Sequence, residues 1–367
     1  MRLDHHNSAA DLLQTKDLCV EFAGLNAVRA LDGISLSVQS GEILGLVGES
    51  GSGKTVFSLS LLGLLPPTAV IRRGSIVWRG NDLTGLGDEE MRRIRGSEIA
   101  MIFQNPQASL NPVRSVGSQI SAVIQLHRKC DHATAKQEAL RWFEAVRIAE
   151  PERVYAAYPH ECSGGMCQRI LIAMALACRS KLLVADEPTA SLDVTIQAQI
   201  MDLLLDIRER YGTAILLVSH DLGVVARMCD RIAVMYRGRI VEQADAKDLY
   251  AAPQHPYTRL LLQSVPVPNP LMRPERKPNV NDSAGHLLAA AAGCPYQPRC
   301  PEAISRCGEL DPALAEVNGR GHSVACLLRF GDANGEKPRN RDGEASGPAA
   351  PSLKVDVQGY SAPERAG

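Results

Sequence analysis

Short runs of apolar residues, interrupted by turns and by helical patterns, occupy most of the chain before its C-terminal part. Residues 12–47 are rich in predicted strands, with apolar runs at residues 36–38 and at Ile43–Val47. Two later runs, residues 181–185 and Ala214–Ser219, are also short and nearly all apolar. Such runs suit strands that are buried on both faces of a sheet. The pattern therefore predicts an α/β fold.

Changes in composition divide the chain into three predicted parts. Residues 54–65 and 117–178 have helical patterns and belong, with the strands, to a large domain at residues 12–245. A smaller extension at residues 246–330 is rich in proline and then in cysteine. Residues 331–367 are rich in Gly, Pro, Asn and charged residues, a composition typical of a disordered tail.

Charge and hydropathy exclude several classes of protein. Lys and Arg number 40 and Asp and Glu number 41, so a global basic field that would attract nucleic acid is absent. The N-terminal residues lack the apolar core of a secretory signal. The longest apolar run, residues 170–178, is far shorter than the roughly 20 residues that span a bilayer. We expect a protein that is soluble or is held at a membrane only through partners.

A segment between a predicted strand and a predicted helix matches the phosphate-binding pattern GxxxxGK(S/T). Its glycines let backbone N–H groups curl around phosphate oxygens, and the helix N-terminus adds positive partial charge. We expect Lys54 to reach the β- and γ-phosphates and the Thr55 hydroxyl to ligate Mg²⁺. A Gly- and Ser-rich loop can match the pattern by chance, but the flanking strand and helix argue against this. The segment, which we call the phosphate loop, consists of Gly48, Glu49, Ser50, Gly51, Ser52, Gly53, Lys54 and Thr55.

Two carboxylates follow the apolar strand predicted at residues 181–185. We expect Asp186 to hold Mg²⁺, directly or through water, and Glu187 to polarise the water that attacks the γ-phosphate. The alternative is an acidic pair that only caps the next helix. The phosphate loop upstream favours the catalytic interpretation.

Further motifs resemble those of the ABC ATPase family. Residues 162–169, CSGGMCQR, resemble the family signature, which is usually LSGGQ or, in peptide importers, LSGGM followed by RQR. Gln104 in FQNP resembles the Q-loop glutamine, residues 191–193 resemble the D-loop, and His220 in VSHD resembles the switch histidine. Phe22 stands where the family often places an aromatic residue that stacks on adenine, although simple core packing is the alternative. The order and spacing of the motifs argue against chance.

The resemblance, which covers about residues 12–245, implies a specific fold. The implied fold is an ABC ATPase core of the P-loop NTPase (RecA-like) type. This core has an antiparallel β subdomain and a helical subdomain at about residues 105–175, and the small cysteine-containing extension follows it. The resemblance also implies that Gln104 is an Mg²⁺ ligand and links the nucleotide site to the helical subdomain, which would dock on membrane subunits. His220 would contact the γ-phosphate and orient the attacking water.

The resemblance further implies that two such domains pair head to tail, with ATP between the phosphate loop of one and the signature of the other. Ser163, Gly164 and Gly165 would offer donors to the γ-phosphate across that interface. Two residues depart from the family pattern: Cys162 replaces Leu, and Cys167 replaces Arg. We expect the second change to remove a cation near the interface, which raises the question of whether hydrolysis is slower.

The extension narrows the resemblance to oligopeptide and dipeptide importers. Residues 254–261, QHPYTRLL, resemble the HPYT segment of that subfamily, and residues 294–301, CPYQPRCP, with Cys307 and Cys326, resemble its cysteine motif. Residues 193–199 match it as well. Members serve peptides most often, and also nickel and other small solutes.

The subfamily implies a set of partners and a location. The partners are a second, paralogous ATP-binding subunit, two transmembrane permeases and a periplasmic solute-binding protein, and the location is the cytoplasmic face of a bacterial inner membrane. A soluble ABC ATPase acting on nucleic acid or ribosomes is the rival class. A single phosphate loop, balanced charge and the lack of a long heptad insertion disfavour it. An exporter half would need fused membrane spans.

Four of the ten cysteines, Cys294, Cys300, Cys307 and Cys326, lie together in the extension. Four thiolates from one chain are a usual ligand set for a 4Fe–4S cluster, and the subfamily resemblance points the same way. The spacing lacks the paired CxxC of zinc ribbons, which disfavours zinc without excluding it. Free thiols remain an alternative, whereas disulfides are disfavoured in the reducing cytosol, where ATP is found. We predict a structural 4Fe–4S cluster.

Overall fold

A computed structural model describes residues 11–24, 27–190, 192–264, 293–317, 319 and 321–330. The predicted tail at residues 331–367 lies outside these ranges, as do residues 265–292 of the extension and Ser191 of the D-loop segment. In chain order the strands are β1 (Asp11–Phe22), β2 (Val28–Gln39), β3 (Ile43–Val47), β4 (Ala69–Trp78), β5 (Asn81–Asp82), β6 (Ile99–Ile102), β7 (Leu182–Asp186), β8 (Ala214–Ser219), β9 (Arg231–Tyr236), β10 (Arg239–Asp245), β11 (Ala315–Glu316) and β12 (Ser323–Val324). The α-helices are α1 (Lys54–Leu61), α2 (Asp88–Ile94), α3 (Val116–Arg128), α4 (His132–Ala145), α5 (Pro151–Ala156), α6 (Gly164–Leu176), α7 (Val194–Tyr211), α8 (Leu222–Met228), α9 (Ala246–Ala251) and α10 (Pro256–Gln263). Short 3-10 turns lie at Pro159–Glu161, Gln297–Arg299 and Ser305–Gly308.

The larger sheet has the strand order β11–β12–β10–β9–β3–β8–β7–β6. The strands β9, β3, β8, β7 and β6 run parallel, and every residue of β3, β7 and β8 is buried. Two core clusters lie against this sheet, and its apolar strands contribute to both of them. Burial on both faces explains why these strands are continuous apolar runs in the sequence. The predicted α/β core is confirmed.

The smaller sheet is antiparallel, with the order β2–β1–β4–β5. The strand predicted at residues 36–38 is the end of a much longer strand, β2. Its buried residues Leu31, Ile34, Leu36 and Val38 are separated by less buried positions, because only one face of this sheet packs on the core. A half-buried strand lacks a long apolar run, which explains why the sequence predicted only its end.

The helices α3 to α6 form a layer at residues 116–176, within the predicted helical subdomain. Side-chain caps start three of them, where Ser115, Asp131 and Ser163 accept hydrogen bonds from backbone N–H groups in the first turns of α3, α4 and α6. The helices α3 and α5 pack closely, because a Cβ atom at Gly117 would collide with Tyr155. The exact boundaries of this subdomain stay a prediction.

The extension joins the main sheet. The strand β12 pairs with β10, which ends at residue 245, and β11 pairs with β12. Glu242 on β10 is fully buried and accepts hydrogen bonds from the N–H groups of Gln254 (2.6 Å) and His255 (2.8 Å). The ring of the buried His322 lies 2.7 Å from the same carboxylate. Residues on both sides of the undescribed segment therefore meet on one buried carboxylate.

No α-helix in the described part of the chain has both the length and the apolar character needed to cross a bilayer.

We predict that acidification destabilises the junction between the extension and the core through His255. Burial lowers the pKa of His255 from its usual 6.5 to about 4, so the folded state keeps this ring neutral while the unfolded chain takes up a proton. Stability is therefore full above the unfolded pKa and is lost as the pH falls from about 6.5 towards about 4. Between about pH 7.5 and about pH 5.5 we expect a loss of about 1 kcal/mol in the free energy of unfolding.

Denaturant unfolding of the full chain at both pH values measures this loss. In the wild type, His255 Nδ1 accepts a hydrogen bond from the Tyr257 N–H at 3.1 Å. The His255→Asn variant keeps a side-chain acceptor for this N–H and should show a shallower pH dependence of stability. The control, His160→Asn at an exposed position, should keep the dependence of the wild type. Equal pH dependence in all three proteins would contradict the prediction.

Candidate nucleotide site

The phosphate loop connects β3 to α1, and close packing against other strands defines its path. A Cβ atom at Gly48 would collide with the carbonyl oxygen of Met235 on β9. Gly53 has a φ of 108° and would place a Cβ atom 2.7 Å from the carbonyl oxygen of Ala30 on β2. Only glycine fits both positions without moving the backbone. Ser50 and Gly51 form the exposed part of the loop.

Lys54 begins α1 and turns its side chain back into the loop. Its Nζ donates to the carbonyl oxygens of Gly48 (2.8 Å) and Glu49 (3.0 Å) and lies 3.5 Å from the hydroxyl oxygen of Ser52. The side chain is buried, with 6% of its residue surface exposed. An ammonium group held inside a loop of backbone N–H groups is suited to bind phosphate oxygens.

Charges around Lys54 oppose the effect of its burial. Burial lowers the pKa of Lys54, while the negative charges of Glu187, Asp186 and Glu49 act to raise it. Three carboxylates therefore lie within electrostatic range of one buried ammonium group. Nucleotide phosphates at this loop would add further negative charge that favours the protonated lysine.

Asp186, the last residue of β7, faces the start of α1. Burial raises its pKa, and a hydrogen bond with the Thr55 hydroxyl acts to lower it. A carboxylate beside a hydroxyl is a pair of hard oxygen ligands of the kind that Mg²⁺ prefers, usually with one or two carboxylates plus phosphate and water. The pair fits the predicted Mg²⁺ site.

Two other predicted residues, Gln104 and His220, contact the Glu187 carboxylate. Gln104 Nε2 donates to one carboxylate oxygen at 2.7 Å, and His220 Nδ1 lies 3.2 Å from the other. Glu187 has a φ of 48°, a left-handed conformation that is uncommon outside glycine, and its N–H donates to the carbonyl oxygen of Val218 at 2.9 Å. An oriented carboxylate with an exposed imidazole beside it can accept a proton from water at the γ-phosphate position.

The signature segment, residues 162–169, includes the first residues of α6. Ser163 is exposed and caps the helix by accepting a hydrogen bond from the Met166 N–H at 3.3 Å. Gly164 and Gly165 form the first turn, whose N–H groups have no partner within the helix. A Cβ atom at Gly165 would lie 2.8 Å from the Ile196 side chain at the start of α7. The segment thus presents a hydroxyl and helix N–H groups near the segment that follows Glu187.

Cys167 differs from the expectation. Its side chain is fully buried in the core, and its Sγ donates towards the carbonyl oxygen of Pro159 at 3.6 Å. Burial raises the pKa of Cys167 to about 11, so the thiol is neutral. The α6 periodicity turns position 167 towards the core, and the effect of this residue on hydrolysis stays a prediction. Cys162 is also buried.

Phe22 ends β1, opposite Val28 of β2 and Ala69 of β4, and is partly buried. It lies three residues before residues 25–26, which are outside the described ranges. Its stacking on adenine stays a prediction.

The four cysteines of the extension are neighbours in the fold. The Cys294 N–H donates to the Cys307 carbonyl oxygen at 2.8 Å, and Cys294 and Cys300 each interact electrostatically with Cys326. Burial raises the pKa of Cys294, Cys300 and Cys326. All ten cysteines are free thiols. Among the residues that the structure describes, however, no three His, Cys, Asp or Glu side chains are arranged to hold a metal ion.

Sequence reasoning missed two residues that contact the phosphate loop. Tyr257 of α10 and Arg299 of the cysteine segment both bind Glu49. Each belongs to a segment that the family resemblance identified, but neither contact has a local signature, since more than 200 residues separate the partners.

The parallel strands carry a phosphate loop after β3, an acidic pair at the end of β7 and a histidine after β8. This combination defines a P-loop NTPase. Comparison with known proteins refines this class. Residues 31–190 match the family model described as ABC transporter, and residues 241–307 match that described as oligopeptide/dipeptide transporter, C-terminal region.

Several known proteins are similar over most of their length. A probable peptide ABC transporter ATP-binding protein of Sinorhizobium fredii is 50% identical over 328 residues, which are 89% of this chain and 97% of that protein. The oligopeptide transport ATP-binding protein OppD of Salmonella typhimurium is 44% identical, covering 84% of this chain and 92% of that protein. Among solved structures, the dimeric post-hydrolysis state of the ATP-binding cassette MJ0796, bound to ADP and Pi, aligns with a TM-score of 0.58 and 25% identity, covering 64% of this chain and 98% of that chain.

The chain belongs to the ABC transporter ATP-binding proteins, in the oligopeptide/dipeptide transporter family. The resemblance inferred from the sequence is confirmed, as are the fold class and the class of enzyme, an ATPase coupled to transport. The roles of individual site residues stay predictions that the geometry supports.

We predict that Glu187→Gln preserves ATP binding and stops turnover. The amide keeps the shape of the side chain but cannot accept a proton, so multiple-turnover hydrolysis should fall by at least about 100-fold. Phosphate release by the assembled transporter measures turnover, and retained radiolabelled ATP measures binding.

Any second ATP-binding subunit in the assembly must be inactivated in this assay, because its own hydrolysis would mask the effect. Glu161→Gln, which alters an exposed carboxylate near the signature segment, is the matched control and should retain normal turnover. Normal hydrolysis by the Glu187→Gln transporter would show that Glu187 is not the base.

Proposed function

We propose that this chain hydrolyses ATP to drive the uptake of dipeptides and oligopeptides across a bacterial inner membrane. The observation that carries the proposal is that one chain combines a region of the ABC transporter type at residues 31–190 with a C-terminal region of the oligopeptide/dipeptide transporter type at residues 241–307. The similar proteins include oligopeptide and dipeptide transport ATP-binding proteins.

The proposed mechanism uses two cassettes that face each other. ATP binds to the phosphate loop of one, with Lys54 on the β- and γ-phosphates. Ser163, Gly164 and Gly165 of this chain donate to the γ-phosphate of the ATP that is bound by the facing cassette. Glu187 accepts the proton of the attacking water while His220 orients that water. The exposed Ser163 at the start of α6 supports this arrangement, because the first-turn N–H groups of a helix have no partner within the helix and can bind an anion.

Mg²⁺ fits at the carboxylate and hydroxyl of Asp186 and Thr55, with Gln104 as a further ligand. The ion would neutralise phosphate charge when bound. Gln104 donates to Glu187 through Nε2 in this structure, so its Oε1 atom would be the one that ligates the ion.

The proposed partners are two transmembrane permeases, a periplasmic solute-binding protein and a second ATP-binding subunit. The chain would act at the cytoplasmic face of the membrane, with residues 12–245 as the nucleotide-binding domain, about 105–175 as the docking subdomain and 246–330 as the extension. Contact with nucleic acid is not part of the proposal, since the net charge is −1.

Reconstitution tests the substrate and the heteromeric assembly together. Proteoliposomes that contain this chain, the permeases, the binding protein and the second subunit should take up a labelled peptide in an ATP-dependent manner. Leaving out the second subunit should abolish uptake, because the proposed assembly pairs this chain with a different ATP-binding subunit. Full peptide uptake with this chain as the sole ATPase would contradict the heteromer, and uptake of nickel but not of peptide would contradict the substrate.

We also propose that Cys294, Cys300, Cys307 and Cys326 bind a 4Fe–4S cluster with a structural role. Four neighbouring thiols are the donor set that such a cluster uses, and the described arrangement would need to tighten on binding. A bound cluster would hold together a segment that contributes few apolar residues to the core.

Anaerobic purification tests the cluster. We expect a brown protein with iron and sulfide each at about four per chain, and loss of both in Cys300→Ser. The half-buried Cys178 lies outside the extension, so Cys178→Ser is the matched control and should keep the iron. Stoichiometric zinc, or a colourless and fully folded metal-free protein, would overturn this proposal.

A further inference from the structure

The extension reaches the phosphate loop through two direct contacts on one residue. The N–H of Glu49 donates to the hydroxyl oxygen of Tyr257 at 2.8 Å. Tyr257 is the second residue of α10, in the segment QHPYT, and is fully buried. This burial raises its pKa, so the hydroxyl is neutral. A buried hydroxyl held in this way fixes the position of the Glu49 backbone.

The second contact is an ion pair with two parallel hydrogen bonds. Arg299 Nη1 and Nη2 donate to the two carboxylate oxygens of Glu49 at 2.7 and 3.0 Å. The side chains are 30% and 40% exposed. Arg299 lies in the turn between Cys294 and Cys300. A two-point pair fixes the direction of the carboxylate as well as its distance.

An aromatic cluster behind these contacts joins the extension to the strand that packs against the phosphate loop. Tyr236 ends β9, one residue after the Met235 carbonyl that lies against Gly48. Its ring centroid lies 4.7 Å from that of Tyr257 and 5.2 Å from that of Tyr296. Such packing between large rings resists sliding of one segment past the other.

Glu49 in turn contacts the phosphate-binding lysine. Its carbonyl oxygen accepts a hydrogen bond from Lys54 Nζ at 3.0 Å. Glu49 therefore connects three residues. The Glu49 N–H binds Tyr257, the Glu49 carboxylate binds Arg299, and the Glu49 carbonyl oxygen binds Lys54.

We propose that Arg299 and Tyr257 are positioning residues for ATP binding, so that the C-terminal extension holds the phosphate loop in its nucleotide-binding conformation. Arg299 has a second effect, because it neutralises a carboxylate that precedes the phosphate-binding N–H groups. Without Arg299, the unpaired charge of Glu49 would repel the nucleotide phosphates. The inference rests on the proposed nucleotide site and adds to it a dependence on the extension.

Equilibrium titration of the purified full chain with a fluorescent ATP analogue and Mg²⁺ tests the inference. Arg299→Ala should raise Kd about tenfold, the order expected when charge-assisted hydrogen bonds on partly exposed groups are lost. Arg299→Lys, which keeps the charge without the two-point geometry, should lie between Arg299→Ala and the wild type. Tyr257→Phe, which removes only the hydroxyl, should raise Kd about threefold.

A double variant separates repulsion from general damage to the fold. Glu49→Gln combined with Arg299→Ala should bind the analogue more tightly than Arg299→Ala alone, since the unpaired charge is gone. In the assembled transporter, Arg299→Ala should raise KM for ATP with little change in kcat. Glu316→Gln is the matched control, because Glu316 lies on β11 of the extension, separated from β3 by three other strands of the sheet, and the Kd of this variant should equal that of the wild type.

The outcomes distinguish the inference from the function on which it rests. A wild-type chain that fails to bind the analogue contradicts the nucleotide site itself. If the wild type binds and both Arg299→Ala and Tyr257→Phe bind equally well, the site stands and the inference is overturned. A double variant no better than Arg299→Ala would overturn the electrostatic part.

Discussion

The ammonium group of Lys54 must stay charged although the fold buries it, and much of the nucleotide site follows from this constraint. Burial lowers its pKa, and the charges of Glu187, Asp186 and Glu49 offset part of this effect. The carbonyl oxygens of Gly48 and Glu49 hold the group inside the phosphate loop. The cation is thus prepared for phosphate oxygens before any nucleotide arrives, which reduces the reorganisation that binding requires.

The order of the parallel strands brings the residues of the nucleotide site together. The phosphate loop follows β3, Gln104 comes soon after β6, the acidic pair ends and follows β7, and His220 follows β8. Because the carboxyl ends of parallel strands meet at one edge, residues that are far apart in sequence share one site. The contacts of Glu187 with both Gln104 and His220 connect three strand ends at the position where the attacking water would lie.

The sequence predicted those parts of the molecule that have a local signature. The phosphate loop, the acidic pair and the buried strands are each encoded by neighbouring residues, and the structure places them as expected. The full length of β2 was missed because a half-buried strand alternates, and the inward direction of Cys167 was missed because a motif does not show which face a residue occupies. The contacts of Tyr257 and Arg299 with Glu49 depend on the path of the whole chain, so no local pattern contains them.

The central claim is that Lys54 holds the nucleotide phosphates, and the affinity of the full chain for ATP tests it most directly. Titration with a fluorescent ATP analogue should show that Lys54→Ala weakens binding strongly compared with the wild type, because the loop then keeps its N–H groups but loses its cation. Lys181→Ala, which removes an exposed lysine at the far end of β7, should bind as the wild type does. Equal affinity in Lys54→Ala and the wild type would contradict the account.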